Sequence, residues 1–198
     1  MVSHSPVASP THPVQVAEIE DAFRAVLNAI GEDPARAGLA TTPHRIAELY
    51  AELFRGLNED PLAELQNAFE EGHQEMVVLR DITFYSMCEH HFLPFFGVAH
   101  VGYIPRGRVV GVSKLARVVE ILARRPQIQE RLTTQVADTI RKGLDPAGVA
   151  VVMKAEHLCM TMRGVNKPGT RVVTSAMRGL FRKDVRTRGE FLSLVEDR

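Results

Sequence analysis

The stretch Ser86-Met87-Cys88-Glu89-His90-His91-Phe92 packs a thiol, a carboxylate and two imidazoles into four consecutive positions. The chain has only two cysteines, and the other, Cys159, lies in Glu156-His157-Leu158-Cys159-Met160, again close to a histidine. Cys88 and His91 are spaced CxxH, which lets both reach one point from a turn. His157 and Cys159 fall in a stretch that reads as a strand, where alternate residues share a face, so both are expected to point the same way. Five donors (Cys88, His90, His91, His157 and Cys159) are too many for one closed tetrahedral set. Two thiolates and one imidazole with a position left open make a catalytic zinc site. The surplus histidines are then free for proton transfer beside the metal. A lone cysteine is as readily a small buried hydrophobe, and a closed set of four Cys or His ligands would make a structural zinc. Two halves that each pair a cysteine with histidine favour the open metal site.

A second group of residues could hold an anion. Gly111-Val112-Ser113-Lys114-Leu115-Ala116-Arg117 places a flexible residue, a cap and two cations at a helix start, where unpaired N–H groups and the helix dipole favour negative charge. Lys114 and Arg117 lie at i and i+3, on one face. The same pattern also describes a solvated surface helix, as do Arg163-Gly164 after the second cysteine and Arg45 nearer the N-terminus. Gln129 and Glu130 set an amide and a carboxylate at another helix opening, a place where an acid is favourable with or without a ligand.

The elements that must position these residues can be read from periodicity. Residues 1–14 are rich in Ser, Pro and His and are expected to be disordered. Val16, Ile19, Phe23, Val26, Leu27 and Ile30 fall on one helical face that ends at Gly31. Thr42-Pro43 opens a second helix as a cap with a first-turn proline, and Gly56 stops it. Together they make an N-terminal helical arm over residues 15–75. Residues 76–198 are expected to form the main domain. There, strands are expected over Met76–Tyr85, Phe95–Ile104, Val109–Val112, Val149–Met160 and Arg171–Phe181. Helices are expected over Lys114–Arg125, capped by Ser113, and over Gln127–Gly143. A last short helix follows the capping box Thr187-Arg188-Gly189-Glu190. This order is α+β with an antiparallel sheet.

Composition limits the partners. Lys plus Arg (24) balances Asp plus Glu (24), and the pI is about 7.1, so nothing general favours nucleic acid or an anionic membrane. Any anion site must be local. No apolar run approaches the roughly 20 residues of a membrane span. The first residues lack the basic start and apolar centre of a signal peptide, so the cytoplasm is the expected compartment, where two cysteines are read as thiols or ligands rather than a disulfide.

Taken together, CEHHFLPFFG, YIPRGRVVGVSKLARVVEILARRPQIQERLT, EHLCMTMRG, TSAMRGLF and RGEFL resemble the GTP cyclohydrolase I family over roughly residues 42–194. The resemblance implies a tunnelling fold, an antiparallel sheet with two helices on one face, its sheets joined across subunits into a barrel. It implies a homodecamer of two stacked pentamers with sites at subunit interfaces. It also implies the zinc-dependent conversion of GTP and water to 7,8-dihydroneopterin triphosphate and formate, the step that opens the pteridine pathway. By motif position the zinc ligands, one ion per subunit, are Cys88, His91 and Cys159. His90 and His157 become the acid–base pair. Ser113, Lys114, Arg117 and Arg163 match triphosphate and ribose contacts, with Ser113 also a proton shuttle. Arg45 matches an arginine of the arm, and Gln129 and Glu130 match the guanine-binding pair. One departure is Glu48, where some relatives have a lysine one turn after that arginine. The related nitrile reductase of queuosine synthesis uses a cysteine nucleophile without zinc, which the two cysteine–histidine halves argue against. A non-catalytic zinc-stabilised assembly module would need neither the anion site nor the spare histidines.

Overall fold

A computed structural model describes residues 14–196, so the tail expected to be disordered lies outside the described residues except for Val14. The chain divides after Glu59 into two compact units. In the first, α1 (Val16–Ala29) packs on α2 (Thr42–Leu53), followed by a 3-10 turn at Arg55–Asn58. The expected apolar faces meet: Leu27 and Ala47 are buried, and Phe23, Tyr50 and Phe54 form a run of edge-to-face rings. Val26, Ile30 and Leu49 stay exposed. Residues 60–75, which the sequence groups with the arm, belong to the second unit, where Leu65 is buried and abuts Gly143.

The second unit runs β1 (Phe69–Glu70), β2 (Val77–Cys88), β3 (Pro94–Ile104), β4 (Arg108–Val109), α3 (Val112–Ala123), β5 (Pro126–Gln127), α4 (Gln129–Leu144), β6 (Gly148–His157), α5 (Leu158–Thr161), β7 (Arg171–Gly179), α6 (Leu180–Lys183) and α7 (Val185–Val195). The five-stranded sheet has the order β5-β2-β3-β6-β7. Its ladders are antiparallel except for the short parallel pairing of β5 with β2. β1 and β4 form a separate two-stranded pair. The architecture is the α+β arrangement expected, with both long helices on one face.

Alternation along the strands explains the two cores. Phe95, Ala99, Val101 and Tyr103 of β3 and Val149, Val151, Met153 and Ala155 of β6 face α3 and α4. There they meet Leu115, Val118, Val119, Leu122, Leu132, Val136 and Ile140. The intervening Ala150 and Val152 face the other way, onto Phe181, Phe191 and Val195. Gly102 also lies on this second face, where a Cβ would come within 2.8 Å of the Phe191 ring. The missing side chain is what lets α7 pack this closely. Phe191→Ala should therefore empty a fully buried ring site and cost about 3–5 kcal/mol, seen as a lowered melting temperature with little change at the functional site on the opposite face.

Several boundaries differ from the sequence reading, each for a local reason. β6 stops at His157 and the chain turns into α5, so Cys159 is not on a strand. β2 continues to Cys88, carried past an irregularity where Asp81 takes a φ of 56°. The short strand expected over Val109–Val112 is only Arg108–Val109, paired with β1, and Val112 already belongs to α3. The helix caps move too. Thr41 rather than Thr42 precedes α2, Gly111 rather than Ser113 precedes α3, and Asp184 rather than Thr187 caps α7 by accepting from the Arg186 amide. Among the described residues, no helix is long and apolar enough to cross a membrane.

Candidate metal centre and active site

The candidate metal donors and His157 collect where β2 ends and β6 ends, on either side of the start of β3. The register fixes this: Met87 pairs with Pro94, and Phe95 pairs with His157. After Cys88 the chain makes a tight turn closed by Phe92 N–H donating to the Cys88 carbonyl (2.8 Å) and Cys88 N–H donating to that of Leu93 (2.9 Å). Phe92 takes a φ of 50° to make it. The turn swings His91 back toward the end of its own strand. On the other side, α5 bends Cys159 inward.

The result is a three-donor cluster: the ligand atoms of Cys88, His91 and Cys159 all lie within 4.8 Å of one another. Cys88 Sγ is 3.9 Å from His91 Nδ1 and 4.0 Å from His90 Nδ1, but it is His91 that also closes on Cys159. Sulfur and nitrogen donors around a tetrahedral zinc would sit about 3.6 Å apart, from the usual metal–ligand lengths, so only small movements separate this arrangement from a coordinating one. The donor chemistry fits as well. Burial pushes the Cys159 thiol above its ordinary pKa and the neighbouring Cys88 adds to this, while the charge of Arg163 opposes it. A bound cation reverses that balance and ionises the thiol outright. Cys159 reaches the site from a helical turn, not by the strand alternation expected from the sequence.

His157 lies two residues before, its ring stacked on Phe95 at a 4.6 Å centroid distance and 5° between planes. Gln129 holds it. The Gln129 amide nitrogen donates to the carbonyls of Met153 (3.1 Å) and Val172 (3.0 Å) and to Thr174 Oγ1 (3.1 Å). Its oxygen is left for His157 Nε2 at 2.8 Å, so Nε2 carries the proton and donates. Gln129 is completely buried. With its amide so engaged it acts here as an anchor for His157. Burial lowers the His157 pKa, and the carboxylate of Glu130 opposes that effect. Glu130 itself is exposed on the first turn of α4.

Two further contacts escaped the sequence reading. Glu89 accepts from both terminal nitrogens of Arg131, one at 2.8 Å, and these bonds hold its carboxyl below the usual carboxylate range. Lys114 donates to Glu64 at 2.7 Å. No spacing rule links residues 42 or 50 positions apart; the only hint was a carboxylate inside the metal motif that is not itself a donor. Ser113 and Arg117 are exposed on the first turns of α3, and Arg163 is exposed just after α5. Arg45 is exposed on α2 of the N-terminal unit, where Glu48 pairs with His44 at 3.4 Å.

The model of the family described as GTP cyclohydrolase I matches residues 19–196. A protein of Dehalococcoides mccartyi named GTP cyclohydrolase 1 is 61% identical over 182 residues, 91% of this chain and 96% of that one. Proteins of the same name from Geobacillus sp. (60% identical, covering 92% and 98%) and Bacillus subtilis (58% identical, covering 90% and 95%) match almost as closely.

Proposed function

The chain belongs to the GTP cyclohydrolase I family, and from that premise we propose how its residues carry out the family reaction, the conversion of GTP and water to dihydroneopterin triphosphate and formate. The observation that carries the reading is the convergence of Cys88, His91 and Cys159 beside a half-buried, anchored histidine. We assign the ion to zinc, one per subunit, because two thiolates and an imidazole suit it and three donors leave a position open. Bound there, zinc supplies the Lewis acidity that makes water a competent nucleophile at neutral pH.

The remaining work falls to side chains. C8 of guanine is a poor electrophile until N7 is protonated, and His157 is assigned that proton exchange. Burial favours its neutral form and Glu130 its charged form, a balance suited to a group that must both give and take a proton. Gln129 keeps the ring from turning. Glu130 offers two acceptor oxygens to the N1–H and 2-amino donors of guanine. His90 and Ser113 move protons as the imidazole ring opens, formate leaves, and the ribose rearranges and closes onto the freed amine. Lys114, Arg117 and Arg163 hold the triphosphate and ribose, Lys114 exchanging Glu64 for phosphate oxygens. Because β5 and β7 bound the sheet, we also propose that copies of the chain pair their edges into the family's ring, a decamer of two pentamers, which removes the exposed edges.

Incubating the zinc-loaded protein with GTP should release formate and give a fluorescent pterin after oxidation; neither product would refute the reading. His157→Ala and His90→Ala should each keep zinc while turnover falls by ~10²–10⁴-fold, the usual contribution of general acid–base groups. Metal loss from His90→Ala but not from His91→Ala would exchange the roles of the two histidines.

A further inference from the structure

The metal turn is separate in sequence from the segment that leads into α4, yet the two are fastened twice, once to β5 and once to the first turn of α4. The Glu89 backbone N–H donates to the Gln127 carbonyl at 3.0 Å, and the Glu89 carboxylate takes the Arg131 guanidinium as a fork. Both side chains are about one-third exposed or less, at 29% and 32%, so the pair is partly shielded from water. Glu89 stands between the ligand Cys88 and His90, whose Nε2 lies 3.8 Å from the Glu89 carboxylate. Arg131 directly follows Glu130, and Gln129, the anchor of His157, precedes both on the same helical turn.

We infer that Glu89 and Arg131 are a positioning pair for the reaction, setting the metal-donor turn at a fixed distance from the helical turn that carries Glu130 and Gln129. The inference rests on the reading of Glu130 as the guanine acceptor and of the three donors as the zinc site. A planar guanidinium meeting a carboxylate through two bonds fixes orientation as well as distance, which a lysine cannot do. A base held by Glu130 while C8 must lie over the metal is sensitive to that distance. A misplacement of about 1 Å can cost ~10²-fold in rate.

The test is a double-mutant cycle in the zinc-loaded full chain, with Glu89→Gln, Arg131→Met and the double variant, together with Arg131→Lys. Formate release gives kcat and KM for GTP, and competition with a chromophoric chelator gives zinc affinity independently. Each single variant should lose ~10²-fold in kcat. The double variant should be no worse than either single, since a coupled pair is lost only once. Arg131→Lys should behave like Arg131→Met despite keeping the charge. Zinc affinity should stay within about threefold, because the fork touches none of the three donors. Parental kcat in the single variants, losses that multiply in the double variant, or losses that follow zinc release would each overturn the pair's role. A parent protein that releases no formate would overturn the functional reading itself, whereas an active parent with unaffected variants would overturn only the fork.

Discussion

Cys88→Ser and Cys159→Ser should each lose most of their metal and with it nearly all GTP turnover. Each replacement removes one of only two thiolates from a three-donor set, and a serine hydroxyl at neutral pH is neither ionised nor a soft donor. Loss of a group that merely supports a metal ligand costs ~10–100-fold in affinity or activity, so loss of a ligand should exceed that. The fold should survive. Cys88 packs among Phe84, Phe95 and the α3 side chains as a small buried group, and serine is close to it in size. Metal analysis beside far-ultraviolet circular dichroism separates the outcomes. Full zinc retention in both variants, with the fold intact, would remove the metal assignment. Zinc loss from one alone would mean that the other cysteine is a packing residue.

Glu130→Ala should abolish preference for guanine. Guanine presents N1–H and a 2-amino group side by side, and one carboxylate accepts from both, whereas adenine places a lone pair at N1. Sites that pair a substrate hydrogen bond can reject analogues lacking it by ~10⁴ or more. On the single chain Glu130 is exposed, so the arriving base must itself exclude the water that would weaken this contact. The competing role for an acid on a first helical turn is to complement the dipole, worth at most about 1 kcal/mol of helix stability. Comparing GTP with inosine triphosphate, which lacks the 2-amino group, distinguishes the two. The parent should favour GTP strongly, and Glu130→Ala should treat both alike and poorly. A folded, zinc-loaded Glu130→Ala that binds and turns over GTP like the parent would remove Glu130 from the site.

The elements were legible from residue patterns wherever packing follows periodicity. β3, β6 and α4 form at nearly their expected places because each buries a continuous apolar face. Boundaries set by single hydrogen bonds were less legible. Thr187 and Ser113 have the right chemistry for caps, but Asp184, itself a preferred cap whose side chain accepts from the Arg186 amide, and Gly111 occupy those places. For the metal donors the expected cluster and the observed one coincide, although the strand alternation invoked for Cys159 does not hold. The surrounding contacts were not legible at all. The bonds that bury Gln129 and commit its amide nitrogen could not be read from its place at a helix opening; Arg131 and Glu64 gave no signal, because contacts between distant segments leave no local period.

The three metal donors come from the ends of β2 and β6, with β3 between them. A slip of one residue in either ladder would move a donor by about 3.3 Å and turn its strand's side chains to the opposite face. The cluster, whose atoms lie within 4.8 Å of one another, cannot form in such a chain. A bound ion would therefore proofread strand pairing: only a correctly aligned sheet brings the three donors together, and an ion that binds that state alone would draw the folding population toward it by mass action.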